Sequence, residues 1–139
     1  MSRSNLLLAG ACALTLSACG QPRTYQAALS GAQQVPSTAS TGTGTMTATV
    51  QPDTMAMTYR IEYTGLSGPA TGAHIHAPAA AGVNAPVAIP FPNPASPITG
   101  GITLTQAQLD QLTAGQAYVN VHTAANPGGE IRGQVARTR

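Results

Sequence analysis

The sequence has no lysine and no tryptophan, and only four acidic residues among its 139: Asp53, Glu62, Asp110 and Glu130. Positive charge comes from six arginines alone, Arg3, Arg23, Arg60, Arg132, Arg137 and Arg139. So little charge excludes a nucleic-acid binder, which needs a dense basic stripe interleaved with stacking aromatics. The scattered acids and the lack of a glycine-rich phosphate loop before a helix make a glycosidase or a phosphoryl transferase a poor fit. No histidine, serine and acid stand in an order that suggests a serine hydrolase. Cysteine is scarce as well: Cys12 and Cys19 are the two in the chain, and both precede the globular part. No disulfide, thiol nucleophile or cysteine metal site is therefore expected in the folded domain, which must hold together by its core.

What the sequence does have begins with an address. A positive start at Met1-Ser2-Arg3 is followed by an apolar run from Leu6 to Leu16, too short for a stable membrane span. The run closes on Leu16-Ser17-Ala18-Cys19, which resembles the lipobox of bacterial lipoproteins. That resemblance implies a signal peptide over residues 1–18, lipid on Cys19 and a short tether over 19–24. Because Gly20 rather than aspartate follows the cysteine, it also implies an outer-membrane anchor facing the periplasm or the cell surface.

Fifteen glycines and eleven prolines suit short strands and turns. Tyr25–Leu29 reads as a first strand, and residues 30–44 as a loop. Thr45–Val50 and Met55–Tyr63 alternate on either side of the turn Gln51-Pro52-Asp53-Thr54 and read as a hairpin. On its second strand Met55, Met57, Tyr59, Ile61 and Tyr63 share one face and Thr58, Arg60 and Glu62 the other. Pro86–Phe91, Ile102–Leu104, Ala117–Thr123 and Glu130–Ala136 are further strands. One short helix is expected after Thr105, where Thr105 and Gln108 form a capping box, Leu109 and Leu112 an apolar stripe and Gly115 a left-handed end. Met46, Met55 and Met57, with Tyr59 and Tyr63, read as core. Seven or eight short antiparallel strands over residues 25–139 predict an all-β chain, a Greek-key or immunoglobulin-like sandwich.

The chemistry concentrates in three histidines, the only ones in the chain. His74 and His76 lie two apart in "GAHIHAP", so on a strand both project to one side and Ile75 to the other. In "YVNVH" Val119 and Val121 take the core side, and Tyr118, Asn120 and His122 the other; in "EIRGQV" Glu130, Arg132 and Gln134 face away from Ile131 and Val135. Imidazoles rooted about 6.5–7 Å apart on a strand lean onto one ion about 2 Å from each nitrogen. A third ring from a neighbouring strand completes a three-nitrogen site. Such a site suits copper, the favourite on affinity, or zinc. Arg132 is open to two readings, a salt bridge with Glu130 or another acid, or a role toward a substrate.

Three segments, "ALSGAQQVP" at 28–36, "YTGLSGPATGAHIHAPAAAGVNAPV" at 63–87 and "LTAGQAYVNVHTAANPGGEIRGQV" at 112–135, resemble the CHRD domain. That resemblance implies an immunoglobulin-like sandwich and no set chemistry. A fainter one, in "HIH", "VNVH" and "GGEIRG", is to copper–zinc superoxide dismutases. It implies His74, His76 and His122 as copper ligands and Arg132 as the catalytic residue that draws in superoxide. The chain has no bridging histidine and no second metal cluster, so it implies a copper-only centre. The alternatives are a non-enzymatic module that engages an envelope protein and a metal storage or delivery protein.

Overall fold

A computed structural model of the chain describes residues 20–138. The segment expected to be a signal peptide and the lipidation expected at Cys19 lie outside the described residues. Nine strands follow in order: β1 (Arg23–Ser30), β2 (Thr43–Gln51), β3 (Ala56–Thr64), β4 (Ala70–His76), β5 (Val87–Pro90), β6 (Ile98–Thr103), β7 (Tyr118–Thr123), β8 (Ile131–Gln134) and β9 (Ala136–Arg137). Helix α1 (Gln106–Thr113) stands between β6 and β7, and a single 3-10 turn covers Gly31–Gln33.

The β2–β3 hairpin forms as its alternation requires. Met57, Tyr59 and Ile61 are buried, while Thr58, Arg60 and Glu62 are exposed. Met55 departs from the expected strand: with φ of 55° it belongs to the turn, where its carbonyl accepts from the amide of Leu104 at 2.8 Å. Helix α1 starts on the expected capping box, Thr105 Oγ1 accepting from Gln108 N and Gln108 Oε1 from Thr105 N. It buries Leu109 and Leu112 and ends at Gly115 with φ of 69°.

All pairings are antiparallel, in the order β5-β4-β7-β8-β1-β2-β3-β6, with β9 added to β1. The all-β class expected from the sequence is the one observed. The two halves of the expected sandwich are one continuous sheet rather than two separate ones. They join at the bridge Ser30↔Arg132 between β1 and β8, and the sheet curls around a shared core. Gly133 permits that junction, since a Cβ there would stand 2.4 Å from the carbonyl oxygen of Ala28. The path is open between its ends, β5 and β6. Strand β7 returns beside β4 and β6 beside β3, the long connections of a Greek key.

Inside the curl, Met46, Met57 and Ile61 from one half meet Ile75, Val119 and Val121 from the other, each at most 1% exposed. With no cysteine among the described residues to form a disulfide there, this burial carries the stability, and truncating one such side chain to alanine would cost about 2–5 kcal/mol. Strands β4, β7 and β8 lie side by side. Their registers His74↔Asn120 and Asn120↔Arg132 place the polar side chains of three adjacent strands on one face.

Candidate metal centre

That face, although it points away from the core side as expected, is not open to water. The segment of residues 77–86, between β4 and β5, folds across it, leaving Tyr118, Asn120 and Arg132 1–3% exposed and His76 8%. His74 and His122, nearer its margin, stay half-buried.

The three imidazoles meet. One nitrogen from each ring lies within 4.8 Å of the chosen nitrogens of the other two. His74 Nδ1 stands 3.1 Å from His122 Nε2. An ion about 2 Å from each nitrogen allows two ligand atoms to be at most about 4 Å apart, so closing the widest gap takes less than about one ångström of ring movement. The rings are held to do this. His76 Nδ1 donates to the carbonyl of Ala85 at 2.9 Å, and His122 Nδ1 to that of Pro127 at 2.8 Å. A carbonyl only accepts, so in the neutral rings the proton is on Nδ1 and the lone pair on Nε2. Both lone pairs then converge on the amide of Asn120, whose Oδ1 position is 3.0 Å from each Nε2. A ring N–H anchored on a backbone carbonyl with the opposite nitrogen facing a common point is the outer-shell pattern of metal-binding histidines.

Burial reinforces it. Loss of water, then the neighbouring His122 and His76 rings, push the His74 pKa below its ordinary value. Burial lowers that of His76 too, against the opposing pull of the Ala85 and Asn120 bonds and with help from the charges of His122 and Arg132. Both rings are therefore neutral at neutral pH and present lone pairs rather than charge.

Arg132, expected to guide an anion or to pair with an acid, does something else. Its guanidinium carbon lies 3.4 Å from the centre of the Tyr118 ring, and its nitrogens donate to Asn84 Oδ1 at 3.0 Å and the carbonyl of Val83 at 2.7 Å. The Tyr118 ring stacks in turn on His76, 4.8 Å between centres and 3° from parallel. Arg132 thus straps residues 77–86 over the site and presses tyrosine against a candidate ligand.

Glu130, expected from the sequence only as a partner for Arg132, forms a separate centre. Fully buried, it accepts from Ser40 Oγ (2.7 Å), Ser67 N (2.8 Å), Ser67 Oγ (2.6 Å), Thr123 Oγ1 (2.5 Å) and Asn126 Nδ2 (3.2 Å). Burial alone would raise its pKa; the donors from Ser67, Thr123 and Ser40 overcome that and bring it to about 2.

The sequence pointed to the three histidines and missed Asn120, Tyr118 and Asn84. Asn120 was legible as a neighbour of His122 on the same face, but nothing local marks that face as covered.

A family model described as the CHRD domain matches residues 25–135. No curated protein and no solved structure matches the chain. The likeness to superoxide dismutases accordingly has no support beyond its short motifs.

Proposed function

The chain belongs to the CHRD domain family, and from that footing we propose that it binds one divalent transition-metal ion through His74, His76 and His122. Copper is the favoured occupant because, among divalent first-row ions, nitrogen sites bind it most tightly, and zinc, which imidazole also suits, is the alternative. The observation that carries this reading is the pair of lone pairs aimed at one point by rings pinned from behind, His76 on Ala85 and His122 on Pro127. In our reading the protein works in the cell envelope, tethered by lipid on Cys19 to the outer membrane, where it stores, delivers or uses that ion.

Turnover of superoxide is the finer form of the proposal. The half-exposed margins of His74 and His122 give a small molecule an approach. Arg132, 1% exposed and committed to Val83 and Asn84, could steer an anion only if residues 77–86 lifted. Those contacts therefore favour a positioning role toward His76 over a catalytic one for Arg132.

The test is a copper titration of the domain freed of residues 1–18, followed by electron paramagnetic resonance. One tight type-2 copper per chain, lost in His76→Ala, is the expected result. Superoxide consumption above that of free copper would add the enzymatic reading. Absence of tight copper and zinc would leave a module that binds an envelope protein.

A further inference from the structure

A buried asparagine at the meeting point of two ligand lone pairs needs an explanation of its own. Asn120 is 2% exposed and reaches the site from β7, between His76 on β4 and His122 two residues along its own strand. Its amide presents one polar atom 3.0 Å from both Nε2 atoms. Neither Nε2 carries a proton when its Nδ1 serves a carbonyl, so an amide oxygen there would face two lone pairs with nothing between them. Oxygen at that point is favourable only when a cation occupies the space. Without a cation the amide must present nitrogen, and its two hydrogens suit two acceptors. The same side-chain shape serves both arrangements, related by a half-turn about the Cβ–Cγ bond.

We propose that Asn120 is the fourth donor of this centre, its amide oxygen ligating the ion, and that in the metal-free protein the inverted amide gives one N–H to each of His76 and His122. This rests on the three-histidine reading. The successive contacts His74 Nδ1–His122 Nε2 at 3.1 Å, His122 Nε2–Asn120 Oδ1 at 3.0 Å and Asn120 Oδ1–His76 Nε2 at 3.0 Å match the edge of a coordination polyhedron, which is about 3 Å for bonds of about 2 Å. An oxygen donor added to three nitrogens favours the doubly charged ion over Cu(I), which prefers softer ligands. The arrangement also keeps the metal-free site satisfied, because the buried lone pair of His76 and the half-buried one of His122 are never left without a hydrogen. Gly129 gives the amide its room: a Cβ there would come 2.8 Å from Asn120 Nδ2.

The experiment titrates zinc into the wild-type domain and Asn120→Leu against a chromophoric competitor. It also follows the Asn120 side-chain Cγ and NH2 resonances in asparagine-labelled wild-type protein. Expected are one zinc per wild-type chain, affinity about 10–100-fold weaker in Asn120→Leu, and movement of both Asn120 resonances at one equivalent. Zinc bound by wild type with Asn120→Leu within threefold, or tighter, and an unmoved Cγ overturns the fourth donor and leaves the three histidines standing. No zinc bound by wild type overturns the four-donor centre, and neither zinc nor copper bound overturns the three-histidine reading itself. Should Asn120→Leu fail to fold, the Cγ shift in the wild type decides.

Discussion

Two polar centres are buried in the same half of the sheet, and they differ in how they are satisfied. Around Glu130 the counts close: one carboxylate, five donors, no lone pair turned toward empty space. Around His76 and His122 the outer nitrogens are satisfied by carbonyls while the inner ones face each other across an asparagine that can complete them in only one of its two orientations. The first centre stitches the loops at 40 and 67 and the turn after β7 to the start of β8. The second is held in place by its surroundings and left with acceptors to spare. Buried polar groups that consume one another stabilise a fold; buried acceptors converging on a point invite a cation.

Breaking either centre should produce different losses. The largest is expected from His122→Ala or His76→Ala. Removing an imidazole, a stronger donor than an amide oxygen, should weaken zinc or copper by more than the 10–100-fold typical of outer-shell changes, measured by competitor titration, with the fold retained by circular dichroism. Next is Glu130→Ala, which strands buried donors and should cost about 3–5 kcal/mol. It should be visible as a fall in the urea midpoint, with metal stoichiometry unchanged in the folded protein.

The Glu130 centre also sets an acid limit. A carboxyl with its pKa lowered from 4.5 to about 2 on folding contributes stability that is complete above the unfolded value and is lost as pH falls through the folded one. Urea midpoints should therefore decline between pH 4.5 and 2, and Glu130→Gln should flatten that decline. A smaller effect is expected from Arg132→Leu, which frees residues 77–86 and removes the cation from the Tyr118 face. It should weaken metal by about tenfold through the position of His76, and superoxide chemistry, if present, should fall in proportion to metal occupancy and no further. The smallest belongs to the exposed Arg60–Glu62 pair, 2.6 Å apart in water. Arg60→Ala should leave thermal stability and metal binding within error, because solvent screens such pairs.

The legible parts of the molecule were those written in local pattern. Period-two alternation located the β2–β3 hairpin, and the Thr105–Gln108 box located the helix start. Strand alternation also put all three histidines on one face, since Ile75 and Val121 left them no other. The illegible parts depend on contacts between segments distant in sequence. Asn84 meets Arg132 across 48 residues, and Ser67 meets Glu130 across 63. Nothing within "EIRGQV" says that its arginine will stack on Tyr118 or that its glutamate will take hydroxyl donors from other loops. Met55 misled because alternation continued one residue past the point where the turn needs a positive φ.

The central claim is the tautomer state of two rings, and histidine ring nitrogens report it directly. In long-range proton–nitrogen spectra of the labelled domain, His76 and His122 should both show a protonated Nδ1 and an unprotonated Nε2 before metal is added. At one equivalent of zinc the Nε2 signals should shift while the Nδ1 protons stay. Either ring carrying its proton on Nε2, or both leaving zinc without effect, would contradict the account.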